Sequence, residues 1–133
     1  MDLAVTRPFD TSVYHLEAAI ASLHASAKTF EETDWKGICF LYGQLHCIQP
    51  TAIVALNKAI ASSYTNDKQE ALEEMKRIEG LENYYLYHTC VGEVYYELGN
   101  TEEAKKYYQK ALTLTTSKQE QQLLQSKIEN CLQ

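Results

Sequence analysis

The feature that most constrains the fold is a pattern for two antiparallel helices joined by a Gly-Asn turn. The stretch from Tyr95 to Leu114 reads YYELGNTEEAKKYYQKALTL. Gly99 and Asn100 tolerate the positive φ that ends a helix, so they predict the turn. Three residues then recur at helical spacing on the face expected to close against the preceding helix: Ala104, Tyr108 and Ala111.

A small residue in the preceding helix completes the pattern. Gly92 has no side chain, which lets two helices approach closely. The offsets of Gly92, Tyr95 and the residues after them resemble those of the tetratricopeptide repeat (TPR), a pair of antiparallel helices of about 34 residues. We expect the clearest repeat over 85–116. The resemblance implies that the chain binds other proteins and is not an enzyme.

The composition favours an all-α fold. The chain has 133 residues, of which 45% are hydrophobic and only two are proline, as expected for one folded domain. Helix-forming residues dominate, and no alternating apolar and polar run predicts a strand. We therefore expect a short, right-handed TPR-like array of about three helix pairs and a capping helix.

Helix boundary signals divide the chain further. Pro8 and the polar residues after it predict an irregular segment over 1–11, followed by a single helical domain over 12–133. Thr33 or Asp34 is expected to cap the second helix, and Thr101 the sixth. The capping helix is expected over 117–132. The first helix is expected to include Tyr14 among its apolar positions. The middle helix pair matches the repeat poorly.

Charge and cysteine content exclude several classes of function. The net charge is −6, from 12 basic and 18 acidic residues, which disfavours direct binding of nucleic acid by this segment. We expect no signal peptide, since Asp2 is acidic and no long apolar run follows it, and no run in the sequence is long enough to predict a membrane helix. The four cysteines are scattered, which is typical of reduced thiols in the cytosol. We therefore expect a cytoplasmic location.

The order of several short motifs resembles a known family. YHLEAAIASLHASA, TDWKGICFLYGQL, PTAIVALNKAIA and the repeat over 84–112 follow one another. Over about residues 14–115 this series resembles the C-terminal extension of extracytoplasmic-function (ECF) sigma factors, subunits of bacterial RNA polymerase. The matching motif residues are Asp34, Trp35, Asn57 and Lys58. Lys58 departs from the arginine that is usual there, which weakens any bidentate contact at that position.

The resemblance implies a regulatory function. In such sigma factors the extension is thought to act through contacts with the sigma domains or the RNA polymerase core. The promoter-binding domains have no counterpart in this sequence, so we expect a detached C-terminal domain or a fragment. The alternative is a free-standing TPR adaptor that binds another polypeptide, as a peptide or helix, in its concave groove. The sequence does not indicate the oligomeric state.

The candidate site is a groove surface on the first helices of successive repeats. Its expected residues are Asn57, Tyr64, Thr89, Glu93 and Tyr96. Tyrosine is common at binding surfaces because it buries area and keeps a polar tip. The alternative for these tyrosines is plain surface or internal packing, and Asn57 could be a buried amide. Trp35 could likewise be a core residue at a repeat junction.

Catalytic and metal sites are not indicated. His46 and Cys47 are adjacent in a helix, so their side chains diverge by about 100° and cannot share a metal without distortion. The glutamate pairs lie at helix starts or on solvated faces, where a general acid or base has no cleft. We expect no cofactor, no metal ion and no catalytic residue.

Overall fold

The described residues form seven α-helices and no strand, which confirms the all-α expectation. The computed structural model describes the backbone over 2–65 and 67–132, and side chains from Ser12 onward. The helices are α1 (Asp2–Ser26), α2 (Trp35–Ile48), α3 (Ala52–Ser63), α4 (Lys68–Lys76), α5 (Tyr85–Glu97), α6 (Thr101–Leu114) and α7 (Lys118–Cys131).

The helices belong to two compact units. Unit 1 is Met1–Asn66 and holds α1 to α3, and unit 2 is Asp67–Gln133 and holds α4 to α7. The boundary falls between α3 and α4, within the middle pair that matches the repeat poorly. A single domain over 12–133 stays a prediction.

Unit 1 is built around α2, which packs on both α1 and α3. Its core consists of buried aliphatic side chains from all three helices: Ile20, Ile38, Leu45, Val54 and Ala61. Thr51 caps α3, because its side chain accepts a hydrogen bond from the backbone N–H of Val54. Tyr14 does not join this core, since it is 71% exposed.

Unit 2 is built around the α5–α6 hairpin, and α7 packs on α6. Gly99 has φ +88°. The N–H of Asn100 bonds the carbonyl of Tyr95 at 2.9 Å, and the N–H of Gly99 bonds that of Tyr96 at 3.0 Å. These two bonds form a Schellman motif, so the Gly-Asn turn expected from the sequence is present.

Two local expectations differ from the structure. Asn100, and not Thr101, caps α6, because its side chain accepts from the N–H of Glu103 at 3.3 Å. Asn100 thus both completes the turn and caps the next helix.

The helix α1 begins at Asp2, whereas we expected an irregular segment over 1–11. A proline in a helix removes one hydrogen bond and crowds the carbonyl four residues earlier, which favours a break, but α1 continues through Pro8.

Candidate protein-interaction surfaces

Three of the expected groove residues share one face of α5 in unit 2. Thr89, Glu93 and Tyr96 are separated by four and three positions, which places them on one side of the helix. The hydroxyl of Thr89 donates to the carbonyl of Tyr85 at 3.0 Å. Tyr96 is 40% exposed. Tyr96 is therefore the residue of this set best placed to bury area against a partner.

Glu93 is engaged within unit 2. Its carboxylate pairs with the ammonium of Lys127 on α7, and it shares a hydrogen bond with the Tyr108 hydroxyl. The Lys127 ammonium also lies 5.9 Å from the centre of the Tyr108 ring. Burial, followed by the negative charge of Glu93, raises the pKa of Tyr108. These contacts join α5, α6 and α7.

A small cleft adjoins this cluster. It has a volume of about 60 Å³ and is lined by Glu93, Tyr96, Tyr108, Lys127 and Asn130. A space of this size admits water but no large side chain. Glu93 lines this cleft and joins α5 to α7 through its pair with Lys127, while the more exposed Tyr96 lines the same cleft.

Tyr64 lies in an aromatic cluster of unit 1. Its ring centre is 4.6 Å from that of Trp35 and 4.8 Å from that of Phe30. His24 meets the edge of the Trp35 ring at 5.5 Å. The indole Nε1 of Trp35 is buried, with no hydrogen-bond partner among the described residues. Tyr64 thus packs against Trp35 and Phe30 and remains 38% exposed to solvent.

The motif residues Asp34 and Lys58 have local structural roles. The Asp34 carboxylate accepts from the N–H of Gly37 at 3.0 Å and so caps α2. The Lys58 side chain passes close to Gly43, where a Cβ would lie 3.6 Å from its Cε. The carbonyl of Lys58 accepts a weak hydrogen bond from the Cys39 thiol at 3.9 Å. Both residues fix the arrangement of α2 and its neighbours.

An open groove of about 620 Å³ lies between α1, α2 and α3 of unit 1. Its floor is apolar and its rim is polar, and Asn57 belongs to it. The lining residues are Glu17, Ile20, Ala21, His24, Tyr42, Leu45, Gln49, Thr51, Ile53, Val54 and Asn57. Burial, followed by the charge of Glu17, raises the pKa of Tyr42. Pockets of this size and polarity are typical of ligand and peptide sites.

Sequence reasoning missed most of this groove. Glu17, Ala21 and His24 occupy positions four and three apart on α1 and therefore share a face. Ile53 follows the Thr51 cap and is 43% exposed. Neither local pattern predicts that these residues line one cavity, because the groove depends on the packing of α1, α2 and α3.

The abundant tyrosines of unit 2 are used largely for internal packing. Tyr95 and Tyr107 stack with their ring centres 5.5 Å apart. The ammonium of Lys76 donates to the Tyr95 hydroxyl at 2.8 Å, and the hydroxyl of Tyr87 donates to the carbonyl of Met75. Burial raises the pKa of Tyr87 and of Tyr107. Most tyrosines of unit 2 are therefore engaged in contacts within the unit, and fewer of them are available to a partner than the tyrosine content of the sequence suggests.

A buried histidine lies among these rings. His88 Nε2 is 2.7 Å from the carbonyl oxygen of Glu82, and its Nδ1 is buried with no partner among the described residues. The ring centres of Tyr87 and Tyr107 lie 5.2 Å and 5.9 Å away. This histidine packs the junction of the α5–α6 hairpin with the loop before it.

The described residues form neither a metal site nor a membrane span. Within the described residues, no three His, Cys, Asp or Glu side chains converge as metal ligands would. Over the same residues, no helix combines the length and apolar character needed to cross a bilayer.

Comparison with known proteins agrees with the geometry of unit 2. A model of the tetratricopeptide repeat matches residues 85–117, which span α5 and α6. An uncharacterized protein of Rhizobium meliloti (strain 1021) is 38% identical over 108 residues, or 80% of this chain. The matched part is 26% of that protein, so the chain spans about a quarter of its relative. The chain therefore contains a TPR repeat within a TPR-like helical domain, a fold that mediates contacts between proteins.

Proposed function

We propose that this chain is a protein-interaction domain that regulates an ECF-type sigma factor, through contacts with sigma domains or the RNA polymerase core. The observation that carries this proposal is the series of four motifs over about residues 14–115, in the order of the sigma factor extension. The TPR repeat supports the interaction, and the motif series supports the identity of the partner.

Two further observations support the proposal. The similar segment of the Rhizobium meliloti relative is part of a much longer protein, as a regulatory domain of a sigma factor would be. The motif pair Asp34–Trp35 begins α2, where it combines a helix cap with the centre of the aromatic cluster.

The second candidate function is an adaptor that is independent of any sigma factor. The groove of unit 1 favours this candidate, because it could hold a peptide without help from another domain. Both candidates are protein-binding functions and differ in the partner.

The size of the native polypeptide tests the choice between them. An immunoblot of the source cells with an antibody against this domain should show a species well above the 15.2 kDa of this chain. A single species near 15 kDa would contradict the sigma factor proposal and favour the adaptor.

A second experiment tests the α5 surface. Tyr96→Ala should weaken capture of the sigma domains or the polymerase core by the full chain without loss of helical content, since Tyr96 is 40% exposed. Leu123→Ala is the control, because Leu123 is an exposed apolar residue on α7, outside the motif series. Equal capture by both variants would exclude Tyr96 from the interface. Tyr64→Ala is a less direct test, because the ring of Tyr64 packs against that of Trp35 and its removal would also alter unit 1.

A further inference from the structure

We propose that the groove of unit 1 binds an apolar side chain of a partner polypeptide whose neighbouring Lys or Arg pairs with Glu17. This inference rests on the proposed function in one respect, namely that the chain binds proteins. It names a site outside the segment that matches the TPR model, which covers only 85–117.

The shape of the groove fits a polypeptide anchor. Its volume of about 620 Å³ accommodates several side chains. Ile20, Leu45 and Val54 are buried at its floor, while Ile53 is 43% exposed at its edge. An apolar side chain that enters would cover Ile53 and displace water from the floor, which is favourable at about 25 cal/mol per Å².

The charge of the groove selects the partner. Glu17 is acidic, and none of the described residues that line the groove is Lys or Arg. Glu17 and Tyr42 both line the groove. A cationic side chain at the polar rim would gain an opposite charge, whereas an acidic one would meet Glu17 with no compensating cation among those residues.

The polar rim suits a peptide main chain. Asn57 and Gln49 each carry an amide that both donates and accepts hydrogen bonds, and Thr51 adds a hydroxyl. Because a peptide backbone presents N–H and C=O groups together, these side chains can satisfy it when water is displaced. A lipid chain would leave them unpaired.

The groove contains a natural reporter. His24 lines it and meets the ring of Trp35 at 5.5 Å. Trp35 is the single tryptophan of the chain, so its emission reports on this part of unit 1. A peptide that contacts His24 should change that emission.

The test uses the full chain and peptides selected from a displayed library of random sequences. Peptides that bind the wild-type chain are labelled, and their affinities are measured by fluorescence anisotropy together with Trp35 emission. We expect an apolar residue flanked by Lys or Arg in the selected sequences. Ile53→Asp should weaken their binding at least about 10-fold, because a carboxylate at the edge disfavours apolar entry. Phe40→Asp is the control, since Phe40 is 64% exposed on α2 and does not line the groove.

A charge reversal tests the second half of the proposal. Glu17→Lys should weaken binding of the basic peptides about 5- to 10-fold and favour versions in which their Lys is replaced by Glu. Glu17 is exposed, and circular dichroism verifies that each variant keeps its helical content. Unchanged preference in Glu17→Lys would overturn the proposed pairing.

Other outcomes would refute the groove as the binding site for a partner polypeptide. A library that yields no binder, or binders that tolerate Ile53→Asp as well as Phe40→Asp, would exclude the groove as a peptide site. A dimer in solution that Ile53→Asp dissociates would assign the groove to a second copy of this chain. None of these results decides the proposed function, because capture of polymerase by the Ile53→Asp chain is measured separately and would remain if the α5 surface carries it.

Discussion

The substitution Gly92→Ala tests the close approach of α5 and α6 on which the repeat depends. A Cβ on Gly92 would lie 2.8 Å from Cε1 and 2.9 Å from Cδ1 of Tyr108, and 3.3 Å from the carbonyl oxygen of Ala104. Tyr108 is only 1% exposed, so its ring has no solvent space into which it could move. The added methyl group must therefore separate the helices or displace the ring.

The expected magnitude combines two opposing effects. Alanine is favoured over glycine in a helix interior by about 1 kcal/mol. Overpacking of a close-packed core costs about 1–3 kcal/mol. Two contacts with the Tyr108 ring fall below 3.0 Å, and the third contact, at 3.3 Å, is with the backbone of Ala104. We therefore place the cost of overpacking near the upper end of that range. Gly92→Ala should therefore lower the free energy of unfolding by about 1–2 kcal/mol.

Gly43→Ala is the matched control. Gly43 lies inside α2, and a Cβ there would have one close neighbour, the Cε atom of Lys58 at 3.6 Å. That is ordinary van der Waals contact, so the helix preference should prevail and raise the free energy of unfolding by about 0.5–1 kcal/mol. The two chemically identical substitutions should thus act in opposite directions.

Urea unfolding followed by far-UV circular dichroism measures both variants. Trp35 emission is recorded in parallel, because Trp35 is the single tryptophan and belongs to unit 1. A stabilising Gly92→Ala, similar to Gly43→Ala, would refute the close-packing argument. A double-mutant cycle with Tyr108→Leu tests it further. Removal of the ring should abolish part of the penalty, with a coupling energy of about 1 kcal/mol or more.

Three further predictions concern unit 2. Asn100→Ala should cost about 1 kcal/mol in the same urea assay, because it removes the α6 cap. Lys127→Met should cost about 0.5–1 kcal/mol, because it removes a partly exposed ion pair with Glu93 and a cation–π contact with Tyr108. Cys90 should react with Ellman's reagent much more slowly than the exposed Cys47 at pH 8, because burial raises the pKa of Cys90 to about 11. Since the folded state then holds the Cys90 proton more tightly than the unfolded state, this thiol should lower stability as the pH rises from about 9 to 11.

Exposed residues of the same types provide the controls. Asn83→Ala and Lys118→Met replace exposed side chains and should change stability by less than about 0.5 kcal/mol. Equal losses from Asn100→Ala and Asn83→Ala would contradict the capping role. Rapid modification of every thiol in the folded chain would contradict the burial of Cys90.

The helices and the repeat could be predicted from the sequence because their signals are local. Gly99 and Asn100 identify a turn by their conformational freedom, and Gly92 identifies a close approach by its lack of a side chain. The α6 cap was assigned one residue too late, because both Asn100 and Thr101 are good caps and only the chain path selects between them.

The groove of unit 1 could not be predicted, because it depends on tertiary packing. Glu17 and Ile53 are distant in sequence, and nothing in either local pattern indicates that α1 and α3 flank one cavity with α2. Tyr14 fits the helical period and yet is exposed, since α1 buries a narrower face than its apolar residues suggest. Glu93 was expected to face a partner, and only the position of α7 revealed its pairing with Lys127.

The measurement that tests the central claim most directly is affinity purification of this domain from the source cells, with the co-purified polypeptides quantified by mass spectrometry. The Tyr96→Ala chain, which alters the exposed α5 surface and should keep its helical content, provides the comparison. The account predicts that RNA polymerase core subunits or sigma domains are enriched with the wild-type domain and reduced with the variant. Enrichment of other proteins, with polymerase at background level, would contradict the sigma factor role and leave the adaptor function.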